Sequence, residues 1–506
     1  MKSYFTLALA LAILAGGVSC SKKASTSPTL TVFCAANLKK PVEAVAEQYR
    51  KELGVEVSLT YNGSATLLSQ LQVAKKGDLF IAADDDTLAA AKSKGLIREV
   101  LPLVVQRPVI AVAKGNPKGI KALADLLRDD VKLSLPDAGA ASVGKVSKKL
   151  LGAQWDALAK RAVVTKPTVT EVAADVQLHA VDAAIVWDAT VTQFKELETV
   201  VVPELSSHAE SASVAVLSAC TQPQEALKFA RYLSAPDRGG KVFEAQGFKL
   251  AGGDKWAVKP EMILYSGGVN RLAIEKLLQE FSDREGATVT TVFNGCGILC
   301  AAMKTMGGSS NPKFPDAYYA CDVCFVPPVA EHFPEAVIMT ETDIVIAVPK
   351  GNPHQIKTLA DLAQPGLRVG LSNAEQATLG FMTRAILKSM NLYDSVMKNV
   401  VVQVPTSDFL INQMRAGGLD AAIVYKVNVQ PQAEHLEAIP LPADKAKAVQ
   451  PFAVRVDSVN RRLSQRLLAF LKEHKESFEK AGFVWTGDGP PVASDKLAIP
   501  DYLRQK

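Results

Sequence analysis

The chain repeats itself. Residues 111–126 (AVAKGNPKGIKALADL) return as residues 347–362 (AVPKGNPHQIKTLADL), twelve of sixteen positions being identical at an offset of 236. Residues 182–187 (DAAIVW) return as 420–425 (DAAIVY) at an offset of 238, and 61–64 (YNGS) as 293–296 (FNGC) at an offset of 232. The order is kept and the offset drifts by only a few residues, which chance similarity does not produce. A period near 235 is far longer than the roughly 20–50 residues of a solenoid unit. It marks the tandem duplication of a whole domain. Copy 1 is expected over 30–255 and copy 2 over 260–506. The join begins at Gly252-Gly253-Asp254-Lys255 and is short and polar, so the copies are expected to fold separately.

Composition excludes several classes. At 48% hydrophobic and 22% charged, the chain is neither disordered nor a multi-span membrane protein. The formal net charge of +5, from 57 Lys+Arg against 52 Asp+Glu, is too mild to argue for a nucleic-acid partner. The six histidines nowhere form HxxxH or HExxH, which speaks against a histidine-based zinc enzyme.

Lys2 precedes an almost wholly apolar run over 4–15, and small residues 16–19 follow. That order reads as a secretory signal peptide over 1–20. Gly17-Val18-Ser19-Cys20 resembles a bacterial lipobox, which implies lipidation at Cys20. Residues 21–29 are polar and small and read as a tether. The mature chain is expected to be exported to the periplasm or cell surface and held to the membrane by its lipid only.

Within each copy strands and helices alternate. Residues 30–35 form an apolar run. Val42, Val45, Ala46 and Tyr49 carry helical spacing across 38–53, and 55–61 alternates like a half-buried strand. Residues 66–74 are again helical and 78–83 apolar. This βαβαβ order predicts an α/β fold with a mostly parallel sheet covered by helices. Such sheets bind ligands at the carboxyl ends of their strands. The residues there are small or hydroxylated: Asn37, then Asn62-Gly63-Ser64, Ala83-Asp84, residues 137–142 and Trp187-Asp188. A helix start offers unpaired N–H groups and binds an anion without Lys or Arg. Any one Ser or Asn there is equally an ordinary N-cap; several on one sheet edge point to a site.

Residues 32–38 (VFCAANL), 62–67 (NGSATL), 78–84 (DLFIAAD) and 114–117 (KGNP) together resemble the periplasmic molybdate-binding proteins of ABC importers. The resemblance runs along copy 1 and, more loosely, copy 2. It implies two tandem periplasmic-binding-protein (type II) domains, each of two α/β lobes around a ligand cleft, holding a tetrahedral oxyanion such as molybdate or tungstate. The ligand contacts it implies are Asn37 (where the family usually has Ser), Ser64, a main-chain N–H at Ala83 and another near Val172. Trp187 stands where some members close the site with a Tyr, and copy 2 has that Tyr as Tyr425. The implied partners are permease and ATPase subunits on other chains, since no GxxxxGK[ST] motif occurs here. Catalysis is not expected, because Asn62-Gly63-Ser64-Ala65-Thr66 is not GxSxG and no His/Asp partner pattern accompanies it.

Seven cysteines complete the reading. Setting Cys20 aside leaves six in an oxidising compartment. Cys34 and Cys220 read as buried singles or one disulfide. Cys296, Cys300, Cys321 and Cys324 fall within 29 residues of copy 2. By the internal alignment Cys296 replaces Ser64 and Cys321 replaces Ala83, both positions of implied ligand contact. All four sulfurs are expected near one point, as two disulfides or as a thiolate site for Zn²⁺ or Cu(I). Copy 2 also has Gly267-Gly268-Val269 in place of Ala35-Ala36-Asn37. The alternative to an oxyanion receptor is therefore a metal- or redox-active cysteine protein built on a duplicated binding-protein scaffold.

Overall fold

A computed structural model describes residues 29–308, 310–441 and 446–499. The leader over 1–20, its Cys20 and most of the 21–29 tether lie outside the described residues. No helix among the described residues is long and apolar enough to cross a membrane.

Copy 1 opens with the apolar strand Thr29–Ala35, which pairs in parallel with Glu56–Asn62 on one side and Leu79–Ala82 on the other. The helix Lys39–Leu53 joins the first two strands. It buries Val42, Val45, Ala46 and Tyr49, the residues whose spacing predicted it, and ends on Gly54 at φ 70°, a left-handed position that glycine adopts without a Cβ clash. The helix Ser64–Ala74 begins two residues before the apolar pattern suggests and buries Leu67, Leu68 and Leu71. The sheet is mixed rather than purely parallel. The strand Ile97–Gln106 leaves toward a second lobe, and Glu210–Leu217 returns antiparallel beside it. A chain that goes out and comes back requires that antiparallel pair. The second lobe has a five-stranded sheet: Val164–Lys166, Leu133–Pro136, Ala183–Trp187, Pro108–Ala113 and Leu197–Val200, in that order.

Copy 2 repeats the plan from Glu261–Gly267, Thr288–Asn294 and Ala317–Tyr319. One difference changes the sheet count. The single strand Glu335–Pro349 spans both lobes, where copy 1 uses two strands separated at Arg107. Pro108 lacks the N–H that the aligned Ile344 donates to the Ala446 carbonyl at 2.6 Å. Copy 2 thereby forms one continuous eleven-stranded sheet.

The join is no loose tether. Glu285, at the end of the helix Arg271–Glu285, is buried between Arg231 of the first half and Arg466 of the second, with contacts of 3.1 and 2.6 Å. Burial pushes its carboxyl up, but the two guanidiniums outweigh that and hold it below the usual carboxylate value. Asp254 accepts the Arg462 and Leu463 N–H groups, each at 2.8 Å. Glu99 pairs with Arg284 across the same seam.

Candidate functional site

The first cleft lies between the lobes of copy 1. Asn37, Ser64 and Ala83 approach from the first lobe, and Ser142, Thr168, Val169 and Trp187 from the second. The cavity is about 10 Å³, so an occupant is a compact ion or molecule. Ser64 is the first residue of its helix; Gly63 holds the N-cap position and no side chain caps it. The helix Ser142–Leu151 likewise starts after Ala141 without a side-chain cap. Plain capping therefore does not explain either serine, and two helix starts point unpaired N–H groups into the cleft. The Ser64 Oγ accepts the Ala83 N–H at 3.1 Å, tying the second strand end to the third. Gly63 is required by the closeness of the lobes. A Cβ there would overlap the Ala140 carbonyl oxygen and lie 2.9 Å from that of Pro167.

Asp84 clasps the lobes. It is wholly buried and accepts the Thr87 N–H and hydroxyl, each at 2.7 Å. From the other lobe it accepts the Ser142 hydroxyl and the Lys145 Nζ, the latter at 2.9 Å. The Lys145 ammonium is thus paired with a buried carboxylate.

Three expected contacts need correction. The Ala83 N–H is taken by the Ser64 Oγ at 3.1 Å and is not free for a ligand. The Val172 N–H bonds the Thr168 carbonyl at 3.3 Å inside the helix Val169–Gln177 and does not reach the cavity. That helix starts at Val169 because Thr168 caps it, accepting from the Glu171 N–H. Val169 and Thr168 face the cleft instead. Asn37 lines the cavity, but its Nδ2 donates to the Gln106 Oε1 at 2.9 Å, and the Gln106 Nε2 donates to the Ala83 carbonyl at 2.9 Å. The pair fastens the first and third strand ends together. Gln106 sits at the end of a crossing strand and has no motif to betray it.

The second cleft keeps the plan and changes the chemistry. Cys321, Ser372, Thr378, Ser407 and Tyr425 line a cavity of about 20 Å³. The helices starting at Cys296, Thr378 and Ser407 all lack side-chain caps. The Cys296 Sγ accepts the Cys321 N–H at 3.0 Å, the counterpart of the Ser64–Ala83 bond. The two sulfurs are 2.6 Å apart. The hydroxyls of Tyr425 and Ser372 are buried without a hydrogen-bond partner. Asp322, aligned with Asp84, accepts main-chain N–H groups from Cys324 at 3.0 Å and Val449 at 2.9 Å, and the Cys324 thiol besides. Phe381 replaces Lys145 and packs edge-on against Phe325, their ring centres 6.1 Å apart. With no cation opposite, burial pushes the Asp322 carboxyl up to about 6.

The four sulfurs do not share one point. Cys300 turns to the Phe325 carbonyl at 3.3 Å and the Tyr318 hydroxyl at 3.6 Å, and burial pushes its thiol up to about 12. Its place one helical turn below Cys296 aims it under the cleft. Among the described residues no group of three or more His, Cys, Asp or Glu side chains is arranged to hold a metal ion, so the Zn²⁺ or Cu(I) reading has no support in the geometry. Cys34 bonds the Ala35 carbonyl and Cys220 the Asp78 carboxylate, each as a single thiol.

Residues 30–249 and 263–484 each match the model of a family described as bacterial extracellular solute-binding protein. A Haemophilus influenzae protein described as a putative binding protein is 27% identical over 221 residues, covering 43% of this chain and 90% of its own length. The Escherichia coli molybdate-binding protein ModA is 28% identical over 232 residues, covering 44% of this chain and 89% of its own. A solved structure, the substrate binding domain of a putative molybdenum ABC transporter from Clostridium difficile, is 25% identical at a TM-score of 0.35. It covers 44% of this chain and 99% of that one.

Proposed function

The chain belongs, in both halves, to the bacterial extracellular solute-binding proteins, and from that premise we propose that it is the receptor of an ABC importer and that its first copy takes up a tetrahedral oxyanion, molybdate or tungstate. The observation that carries this reading is the pair of uncapped helix starts at Ser64 and Ser142, facing each other across a compact cavity. A dianion there would receive the Ser64 hydroxyl and main-chain N–H groups from both lobes. Neutral donors to a charged partner are worth roughly 1.5–3 kcal/mol each. Lys145 is spent on Asp84, and among the described residues no Lys or Arg lines the cavity to hold the ligand against release. The named relatives supply the choice of molybdate. In this reading Cys20 carries the lipid that keeps the receptor at the membrane, permease and ATPase subunits are other chains, and the protein performs no catalysis.

Calorimetric titration with molybdate, tungstate, sulfate and phosphate tests it. Molybdate and tungstate are expected to bind and Ser64→Ala to weaken them by roughly 1.5–3 kcal/mol, about ten- to a hundredfold. Absence of binding by any of the four anions, or a Ser64→Ala variant with unchanged affinity, overturns the assignment.

A further inference from the structure

We propose that Cys296 and Cys321 are a reversible thiol–disulfide couple built into the floor of the second cleft, and that this cleft accepts a small anion only when the bond between them is formed. The second half of that statement rests on the reading that these clefts hold small anions; the first does not.

Three observations place the couple. The sulfurs lie 2.6 Å apart, with the Cys321 N–H directed at the Cys296 sulfur at 3.0 Å. Both stand at strand ends where the other copy has Ser64 and Ala83, so they meet in a position held by backbone geometry and not by chance. The neighbouring residue has changed with them. A Cβ on Gly267 would overlap the Cys321 sulfur and lie 2.9 Å from its nitrogen. Copy 1 carries Ala35 there, beside Ala83 and not beside a thiol. The loss of a methyl group has made room for the sulfur.

The environment separates the two thiols. Burial alone would raise Cys296, but hydrogen bonds from Cys321 and Tyr318 hold it below the ordinary thiol value. Cys321 is held well above that value by its hydrogen bond to Cys296 and by burial. A thiol held low beside a thiol held high is the arrangement that exchanges with disulfides, the first being the readier thiolate. With the lobes apart, the Cys296 thiolate attacks one sulfur of an incoming disulfide, and one thiolate leaves. Cys321 then gives up its proton to that leaving thiolate and attacks the Cys296 sulfur, expelling the second thiolate, which takes a proton from water. Two cysteines are oxidised and one external disulfide is reduced to two thiols.

Charge connects this bond to binding. In the reduced cleft the Cys321 sulfur lines the cavity with the Cys296 sulfur 2.6 Å away, so the negative charge that the lowered Cys296 thiol takes on opposes an anion. The disulfide is neutral. The buried hydroxyls of Tyr425 and Ser372, which have no partner in the protein, and the three uncapped helix starts then face the anion without that sulfur charge beside them.

The full chain is treated with oxidised glutathione or with a phosphine reductant, then denatured, alkylated and mapped by mass spectrometry. Molybdate is titrated calorimetrically in both states. A linkage joining Cys296 to Cys321 is expected after oxidation, with one more anion bound per chain than after reduction. Cys321→Ala should remove the linkage and make the stoichiometry the same in both states. Alkylation of both cysteines after oxidation overturns the couple. Equal stoichiometry in the two states of a chain that does form the linkage overturns the control of binding. If no anion binds in either state, the oxyanion reading fails while the mapped linkage still decides the couple.

Discussion

The two clefts share a backbone and differ in their fastenings. In the first, a side-chain oxygen of Ser64 accepts the Ala83 N–H; in the second, the Cys296 sulfur accepts the Cys321 N–H, at 3.1 and 3.0 Å. The strand-end geometry is therefore preserved through a change of element. Across the lobes, the first cleft closes on the ionic contact of Asp84 with Lys145, and the second on the aromatic contact of Phe325 with Phe381. Duplication has left the placement of donors to the backbone and freed the side chains to diverge. The contrast separates what the fold supplies, uncapped helix starts around a small cavity, from what each copy adds to it.

The sharpest way to break that contrast is to attack what the clefts have in common. A Cβ at Gly63 would overlap the Ala140 carbonyl oxygen, and one at Gly295 would overlap that of Gln376. Backbone cannot yield as a flexible side chain does. Gly63→Ala should prevent the lobes of copy 1 from meeting and weaken anion binding there more than a hundredfold, while the chain still folds. Gly295→Ala should leave the affinity of copy 1 unchanged. Calorimetry on both variants checks this, and near-native affinity in Gly63→Ala would show that the observed approach of the lobes is not the binding state.

The next test uses the clasps. Asp84→Ala removes the partner of Lys145 and Ser142 and the cap that Thr87 N–H needs. Breaking a buried ion pair costs about 3–5 kcal/mol; since the Lys145 side chain is 32% exposed, the lower end is expected. Asp84→Ala should lower the midpoint of chemical denaturation, whereas Lys145→Met, which leaves a buried carboxylate without its cation, should lower it too. Phe381→Ala loses only ring packing and should cost less. If Phe381→Ala proves the more damaging, the ionic clasp is not what holds the first cleft.

Much of this arrangement is legible in the sequence because it follows from strand ends. The repeated NGS and NGC motifs, the apolar runs before them and the helical spacing after them put these residues at strand ends, and the family resemblance, which has both positions touch one anion, implies Ser64 beside Ala83 and Cys296 beside Cys321. Thr168-Val169-Thr170-Glu171 carries the spacing of a capping box, which is the signal that the helix begins before Val172. Gln106 has no such signal, since a glutamine at the end of a crossing strand looks like any edge residue. The failure of Cys300 to join the Cys296 and Cys321 sulfurs is a matter of direction. Spacing says that two residues share a helix face but not what that face meets, and here it meets the Phe325 carbonyl. The Arg231–Glu285–Arg466 seam is invisible for a related reason, being assembled from charges 54 and 181 residues apart.

The smallest expected effect concerns Asp322, which has lost the lysine that its counterpart Asp84 keeps. Its folded carboxyl is raised from 3.8 to about 6 because burial disfavours the charged form. The native state then binds more protons than the unfolded state between these values, so stability falls as pH rises through that window. The contribution is fully present below about pH 4 and lost above about pH 6. At about 1.4 kcal/mol per pH unit, it amounts to roughly 2–3 kcal/mol. Other carboxylates act in the opposite sense; Glu285, held low by two arginines, favours folding as pH rises. Only the difference between wild type and Asp322→Asn isolates the effect. Denaturation midpoints of both proteins at pH 4, 5, 6 and 7 should show the variant gaining on the wild type as pH rises, most steeply between 4 and 6. Restoring a cation by Phe381→Lys should reverse the trend, because an ammonium across the cleft would favour the charged form of Asp322. A constant difference across the four pH values would mean that Asp322 ionises as it does in water, and that the second cleft needs no lysine to hold a buried carboxylate.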